Sequence, residues 1–523
     1  PSKLSANTLS ITDSFAMDNS NVEKIYLPSN FSFRNYVGSV MVGSKIKEIH
    51  ISPESTNYKS VDGIVYNKDM TKLLAYPPYK EGTTYEIPET VTELSVASLS
   101  NNKYIENLII PETITKIGWG CFQDSSFKSL TFPKDISNID TLVRHVGLTN
   151  LESIVVDDRN PDYATLDGVL YTKTYSRIIY YPQGKPDLEF TVHNATTIVR
   201  IDTNDFLERI TLSSATIEFD VKAKMLKEVN APANNAKYKS NDGMLYFKDN
   251  NKLAYLPYNK EIITITIDDG EEAAVSFGNK HLETLRLTDA ISTIPDSAHQ
   301  MPKLREIIVS NVHPRLATID GILYDKQLRN LLCYPMGKTN EIYQFPATVE
   351  FIDVDIKNDF VKEVIINSVF NGITLAHMNQ VFPNIERCNA LDNNDNYTSV
   401  DGVLYSKNKS ILKYYPRGKT AKIFEVPNYV TTIENSAFNH HPYIERVVLS
   451  NNIDFISRYA FYNCHALTKI VVPEMVTTIK RYAFYNCSNL VLYIKINEST
   501  KPPTWEDEFY MYISEVVWGY TGS

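Results

Sequence analysis

The chain has 523 residues, of which 43% are hydrophobic, so it has enough apolar side chain for a packed core and is not a disordered protein. Its formal net charge of -10 argues against a phosphate-binding surface, and therefore against nucleic acid as a partner. No apolar run reaches about 18 residues, so no transmembrane helix is predicted, and five cysteines without a CxxC pair are too few for a disulfide scaffold.

A short segment of the form L-x2-I-x-[IVL] recurs from the N-terminal part of the chain onward. Copies occupy residues 22–27, 46–51, 105–110, 151–156, 207–212, 282–287, 304–309, 361–366, 444–449 and 467–472. In the last residues of each copy, apolar positions alternate with positions of any residue type. This period of two predicts short strands that bury one face and expose the other. Because a unit this small cannot bury its aliphatic side chains alone, we expect neighbouring units to stack and bury them jointly.

A second element, Asp-Gly followed by apolar residues and tyrosine, occurs five times. The Asp-Gly pairs begin at Asp62, Asp167, Asp242, Asp320 and Asp401. A two-residue Asp-Gly between apolar runs predicts a β-hairpin, because both turn residues must adopt positive φ. A second polar turn and a further apolar run follow each pair, so the element predicts a three-stranded antiparallel meander whose tyrosines serve packing.

The last part of the chain repeats with a period of 23 residues, as Ile433, Ile456 and Ile479 show. An A-F-x2-C segment within each unit is too short for a full helix and predicts a helical turn or a piece of 3₁₀ helix. No linker interrupts the pattern. We therefore predict a single repeat solenoid over residues 1–500 and a C-terminal segment, 501–523, that caps the last unit.

The pattern I-x3-A-F-x2-C-x2-L-x2-I-x-[VL]-P, seen at Ile456, Phe461, Cys464, Leu467 and Pro473, resembles the BspA-type leucine-rich repeat. The alternating Asp-Gly element is similar to the companion segment of that family's bacterial surface proteins. The resemblance implies an α/β fold, namely a right-handed, β-rich horseshoe solenoid with a parallel sheet and hairpin insertions. It also implies a secreted or cell-surface location, with an export leader absent from this chain, and it implies no catalytic residues.

No motif of a known catalytic or nucleotide-binding class occurs, so the chain is predicted not to be an enzyme and to need no cofactor. Residues 392–396 begin like a calcium loop, but Tyr397 and Val403 stand where glycine and glutamate are needed. His440 and His441 occupy positions where neighbouring repeats carry Asn463 and Cys464, which indicates a substitution within the repeat rather than a zinc site. No metal site is predicted.

Binding is the remaining kind of function, and solenoids generally bind through an extended concave sheet. The candidate residues are the outward side chains between the last two inward positions of each strand: Tyr26, His50, Ile109, Thr211, Arg286, Ile308, Ile365 and Val448. The resemblance to the BspA-type repeat, together with the lack of catalytic motifs, implies a non-catalytic protein that adheres to host or other extracellular proteins, and we expect it to do so through this face. Glycan capture and a structural role in a surface layer are the alternatives.

Overall fold

The computed structural model describes residues 9–11, 21–33, 44–144, 147–275, 278–292, 294–353, 355–370 and 372–522. The chain forms two compact units, residues 1–260 and 261–523. Each is a β-rich solenoid built from short stacked strands with few helices. The right-handed coil and the single solenoid over residues 1–500 stay predictions.

Strands of three or four residues, here called the long-strand ladder, form the main parallel sheets. In the first unit they are Lys24–Leu27 and Glu48–Ile51; Thr84–Glu86, Asn107–Ile109, Ser129–Phe132 and Ser153–Val156; and Glu189–Thr191, Arg209–Thr211 and Glu228–Asn230. In the second unit they are Thr264–Ile267, Thr284–Leu287 and Glu306–Ile308; Ile342–Gln344, Glu363–Ile366 and Arg387–Ala390; and Ile423–Glu425, Arg446–Val448, Lys469–Val472, Val491–Ile494 and Glu515–Trp518. Each of the ten predicted L-x2-I-x-[IVL] segments contains one of these strands, so the prediction of those ten strands is confirmed.

The inward side chains of this ladder make the core. Leu108, Leu130 and Ile154 stand in register on adjacent strands and are at most 3% exposed. Each such aliphatic side chain contributes roughly 1.5–3 kcal/mol when it is fully buried. Stacking therefore supplies the stability that a single unit lacks.

Each Asp-Gly element is the predicted three-stranded antiparallel meander. In the first, Asp62 and Gly63 adopt φ of +49° and +74° between the paired strands Tyr58–Val61 and Ile64–Asn67. The meanders are Tyr58–Val61, Ile64–Asn67 and Lys72–Ala75; Tyr163–Leu166, Val169–Thr172 and Ile178–Tyr180; Tyr238–Asn241, Met244–Phe247 and Leu253–Tyr255; Leu316–Ile319, Ile322–Asp325 and Asn330–Cys333; and Tyr397–Val400, Val403–Ser406 and Ile411–Tyr414.

The Asp-Gly turn also ends the long-strand sheet before it. The Gly168 carbonyl accepts a hydrogen bond of 2.9 Å from the backbone N–H of Ile154, in the last strand of its sheet, and Gly321 does the same for Ile307. All five turns follow this rule. The next long strand consequently begins a new sheet, which divides the ladder into sheets of two to five strands.

A second parallel ladder, here called the short-strand ladder, lies beside the meanders. It starts from the third meander strand: Lys72–Ala75 pairs with Glu93–Leu94, which pairs with Lys116–Ile117. Its other strands are Ile198–Asn204 and Glu218–Ala223 in the first unit, and Phe351–Ile352, Thr432–Ile433, Phe455–Ile456 and Thr478–Ile479 in the second. The strands Leu9–Ile11 and Phe31–Phe33 form a further parallel pair.

The A-F-x2-C segments differ from their prediction. They are successive turns, because residues such as Ser436 and His440 adopt φ of +59° and +57°, which a helical turn or 3₁₀ piece does not allow. Their backbones bond from unit to unit instead, as in Phe438 N–H to Ala460 O at 2.8 Å and His440 N–H to Tyr462 O at 2.8 Å. These turns form a third wall, the turn wall, beside the two ladders.

Few described residues are helical. The α-helices are Ile139–Val143 in the first unit and Gly372–Val381 in the second, and the 3₁₀ helices are Glu272–Val275, Asp296–Gln300 and Glu498–Thr500. In the C-terminal segment, strand Glu515–Trp518 pairs with Val491–Ile494, and Trp505 and Phe509 are buried against the last repeats. The cap over residues 501–523 stays a prediction.

Candidate binding face of the long-strand sheets

All eight residues predicted to bind a partner lie on the outward side of long-strand sheets. None is fully buried, and Tyr26 and Ile109 are 73% and 47% exposed. Their outward direction follows from the alternation along each strand, because the flanking residues point into the core. The remaining members are His50, Thr211, Arg286, Ile308, Ile365 and Val448.

The structure brings two pairs of these residues together. Tyr26 and His50 are in register on adjacent strands, and their rings stack with centroids 4.7 Å apart. The His50 Nε2 atom also lies 2.8 Å from a carboxylate oxygen of Glu48. Arg286 and Ile308 are in register in the second unit. The other four residues stand in separate sheets.

The row that these residues form is largely uncharged. Thr211 stands between Thr191 and Asn230 on the neighbouring strands. Ile365 likewise stands between Gln344 and Asn389. Such a surface offers methyl groups, hydroxyls and amides to a partner, whereas its backbone groups are already paired within the sheet.

A parallel row of charges two positions earlier was missed by the sequence reasoning. In the first unit Lys24 pairs with Glu48 at 3.0 Å, and Arg209 pairs with carboxylates on both neighbouring strands, Glu189 and Glu228. The sequence signal for this row is a lysine, arginine or glutamate at this position of the units. It becomes visible only when units are aligned on the strand register, since the paired residues are about 20 positions apart in sequence.

The Asp-Gly aspartates are occupied by structural contacts rather than by chemistry. In four of the five meanders the lysine that follows reaches back to the turn, so that Lys338 Nζ lies 3.0 Å from an Asp320 carboxylate oxygen and donates to the Asp320 carbonyl at 2.7 Å. Lys80 pairs with Asp62 in the same way. In the remaining meander Lys185 pairs with Asp187 at 2.9 Å. The repeated lysine therefore fastens the turn, which explains its fixed spacing.

Two of the residues weighed above as metal ligands, Asn394 and His441, cap turns instead. The Asn394 side chain accepts hydrogen bonds from the backbone N–H groups of Asn396 and Tyr397 at 3.0 and 2.9 Å. His441 Nδ1 accepts from the Ile444 N–H at 3.1 Å, and burial lowers the pKa of His441 to about 4. Within the described ranges, no cluster of three or more acidic, histidine or cysteine side chains could hold a metal ion.

The five cysteines are all buried and unbridged. The Cys464 and Cys487 thiols donate to the carbonyls of Phe438 and Phe461 at 2.9 Å. Burial raises the pKa of Cys121 and of Cys333 to about 12. These thiols are packing groups rather than nucleophiles.

Among the residues for which the structure gives a placement, no helix is long and apolar enough to cross a membrane. In comparisons with known proteins, the profile described as "BspA type Leucine rich repeat region" matches residues 79–156 and 409–502 in 6 copies. No curated protein matches the chain in sequence.

Three solved structures are distantly similar. The pneumococcal vaccine antigen PcpA is 15% identical, with 88% of this chain and 83% of that chain covered and a TM-score of 0.25. A leucine-rich repeat protein from Eubacterium ventriosum is 15% identical, with coverage of 85% and 83% and a TM-score of 0.24. A leucine rich cell surface protein from Faecalibacterium prausnitzii is 14% identical, with coverage of 90% and 97% and a TM-score of 0.24.

The residues that carry the repeat have definite places in the fold. The L-x2-I-x-[IVL] segments are the long strands, the Asp-Gly elements are the meanders, and the A-F-x2-C segments are the turn wall. The profile match covers the same units at residues 79–156 and 409–502. The chain therefore contains BspA-type leucine-rich repeats in these two ranges.

Proposed function

We propose that this chain is a non-catalytic binding protein of the cell surface or the extracellular space, and that it adheres to host or other extracellular proteins. The binding surface is the outward row of the long-strand sheets. One observation carries the proposal: every long-strand sheet presents a row of side chains that the core does not need, at a constant strand spacing. The BspA-type repeat supports the surface location.

The size of the sheets limits how such a surface works. Four strands of four residues cover roughly 19 Å by 13 Å, or about 250 Å². A stable protein complex buries about 800 Å² on each partner, so one sheet supplies about a third of the area. A partner must therefore contact several sheets of a unit or the loops beside them.

The row also contains exposed apolar groups that favour a protein partner. Ile109 and Val155 stand in one four-stranded sheet, and each is 47% exposed. Burying such side chains in an interface supplies roughly 25 cal/mol per Å² of apolar surface.

The test is a titration of the full chain against immobilised extracellular-matrix proteins and against intact cells. We expect saturable binding to at least one of these surfaces. A chain that binds neither saturably overturns the proposal.

Glycan capture is a second candidate, favoured by the exposed Tyr26 ring stacked on His50. An array of immobilised glycans distinguishes the two, since saturable binding to glycans alone selects the second candidate.

A further inference from the structure

Four tyrosines line the solvent side of the turn wall in the second unit, in two columns that follow the stacking of the repeats. Tyr459 stacks on Tyr482 with ring centroids 5.7 Å apart, and Tyr462 stacks on Tyr485 at 5.5 Å. Within one repeat the two rings meet edge to face, as Tyr459 and Tyr462 do at 5.3 Å. All four side chains are half-buried. Because each ring is held by its neighbours, little side-chain freedom is left to lose when a ligand binds.

Most hydroxyl groups of these tyrosine columns are not used by the fold. The Tyr482 hydroxyl bonds to the Glu508 side chain. Among the residues that the structure describes, the hydroxyls of Tyr459, Tyr462 and Tyr485 have no hydrogen-bond partner, and none of the three is fully buried. A tyrosine hydroxyl can donate one hydrogen bond and also accept. The columns therefore present hydroxyl groups that are free to bond to a ligand.

A row of hydrogen-bonded side chains lies beside the columns. Asn486 Nδ2 donates to Asn463 Oδ1 at 2.7 Å, and Asn463 Nδ2 donates to His440 Nε2 at 2.8 Å. The three residues hold the same position in successive repeats. Each amide group keeps a second N–H, and Asn486 Oδ1 accepts from no donor in the described part of the chain. The wall consequently offers hydrogen-bond donors and acceptors at each repeat.

One arginine of the wall has no ion-pair partner within the described residues. The Arg458 guanidinium lies 5.0 and 5.6 Å from the ring centroids of the first column, which holds it in place, and its side chain makes no hydrogen bond to any described residue. The nearby acids have other partners, since Glu506 pairs with Lys480 at 2.7 Å and Glu508 pairs with Arg481. Arg458 acts on Glu506 only from beyond ion-pair distance. Its N–H donors are thus available to a carboxylate.

The spacing of the columns favours one class of ligand. Equivalent rings of adjacent repeats are 5.5 and 5.7 Å apart. An extended polypeptide advances about 3.3 Å per residue, or about 6.6 Å between side chains on one face, so it falls out of step with the repeats. A pyranose with its glycosidic oxygen is close in length to one repeat. Successive sugars of a linear glycan can therefore meet equivalent hydroxyl and amide groups.

We propose that the turn wall of the second unit binds a linear glycan that carries carboxylates, with one sugar against each repeat. The hydroxyls of Tyr462 and Tyr485 and the amides of the neighbouring asparagines bond to sugar hydroxyls. Arg458 binds a carboxylate. This site is separate from the outward row of the long-strand sheets, so the proposal goes beyond the protein-binding function and does not depend on it.

The test uses the full chain and fluorescently labelled oligosaccharides of hyaluronan and of alginate, followed by fluorescence anisotropy. We expect saturable binding to at least one of the two. It should tighten as the oligosaccharide grows from two sugars to about four, because a longer chain reaches more repeats. It should weaken as salt is raised, since exposed charge interactions are screened. Neutral chito-oligosaccharides of the same lengths should bind at least about tenfold more weakly.

Three variants locate the site. Tyr462→Phe combined with Tyr485→Phe keeps both rings and removes two hydroxyls, so glycan binding should weaken at least about fivefold while the unfolding midpoint stays unchanged. Arg458→Gln should weaken binding of the acidic glycan at least about tenfold and leave binding of chito-oligosaccharides unchanged. Tyr493→Phe is the matched control, because Tyr493 is a half-buried tyrosine on the outward side of the long-strand sheet. It should bind the glycan as the wild type does.

Four results overturn the proposal: no saturable binding of either acidic glycan, wild-type binding by the double variant Tyr462→Phe/Tyr485→Phe, a loss confined to Tyr493→Phe, or tighter binding of polyglutamate than of the glycans. If the glycans fail while the chain still binds matrix proteins, only this site assignment falls. If the glycans bind while matrix proteins and cells do not, the proposed protein-binding function falls alone.

Discussion

Gly168 is the position where the repeat architecture is most open to a sharp test. It is the second residue of an Asp-Gly turn, with φ of +77°, and its carbonyl accepts from the Ile154 N–H at 2.9 Å. A Cβ at this position would lie 2.9 Å from the Cβ of Ser153 and 3.1 Å from its Cα. Gly168→Ala therefore adds a steric clash to an unfavourable backbone conformation.

The size of the effect follows from these two terms. Left-handed backbone costs a residue with a Cβ about 1–2 kcal/mol, and forcing an extra methyl into a packed contact costs about 1–3 kcal/mol. We expect Gly168→Ala to destabilise the turn by about 2–5 kcal/mol. Gly120→Ala is the matched control in the same unit, because Gly120 has φ of +65° but only the flexible Gln123 side chain near it, at 3.5 Å. The control should lose only the backbone term.

Hydrogen exchange at the Ile154 amide reports this difference directly, because local opening of the turn frees that N–H. Each 1.4 kcal/mol is a factor of ten, so its protection should fall roughly 30- to 4,000-fold in Gly168→Ala. In Gly120→Ala the Ile154 amide should keep its wild-type protection to within about tenfold. Equal protection in the two variants refutes the idea that the turn is docked on the sheet edge.

Three further predictions concern buried polar groups in the second unit. Burial lowers the pKa of His441 to about 4, so the unfolded chain takes up the proton first as the pH falls below about 6.5. Stability on the order of 3 kcal/mol should be lost between about pH 6.5 and 4, and His441→Asn, which keeps a cap, should remove this loss in urea titrations at several pH values. Tyr324→Phe should lower the free energy of unfolding by about 1–3 kcal/mol, because the buried Tyr343 hydroxyl, 2.7 Å from that of Tyr324, loses its partner. In a double-mutant cycle, the variant with both Tyr324→Phe and Tyr343→Phe should recover part of this loss. Lys338→Gln breaks the contacts to the Asp320 turn and should cost about 1–2 kcal/mol in thermal unfolding; an unchanged midpoint contradicts the fastening role.

The sequence predicts the long strands and the meanders well, because both leave a pattern that one chain repeats many times. The turn at Asp62-Gly63 is predictable because both residue types tolerate positive φ. The strand around Leu108 is predictable because apolar and exposed residues alternate along it. Neither signal depends on a partner elsewhere in the chain.

Other features depend on contacts between units and escape such reading. Most strands of the short-strand ladder have two residues, as Lys116–Ile117 does, and are too short to show a period. The turn wall is stabilised by backbone bonds to the next unit, which no side-chain pattern records. Helix Gly372–Val381 lies in the chain between the long strands Glu363–Ile366 and Arg387–Ala390 and was not predicted.

The candidate site shows the same limit. The outward positions were predicted because they alternate with core residues. The row of ion pairs two positions earlier was not, because partners such as Arg209 and Glu228 are about 20 positions apart in sequence and meet only through the sheet register.

The most direct test of the central claim, that the outward row of the long-strand sheets is the binding surface, is a pair of charge substitutions in the first unit. Ile109, in that row, is 47% exposed, and Ile217, which lies outside the long strands, is 51% exposed. We predict that Ile109→Glu weakens saturable binding of the full chain to extracellular-matrix proteins or cells, while Ile217→Glu binds as the wild type does. Equal binding by both variants, or a loss only in Ile217→Glu, contradicts the claim.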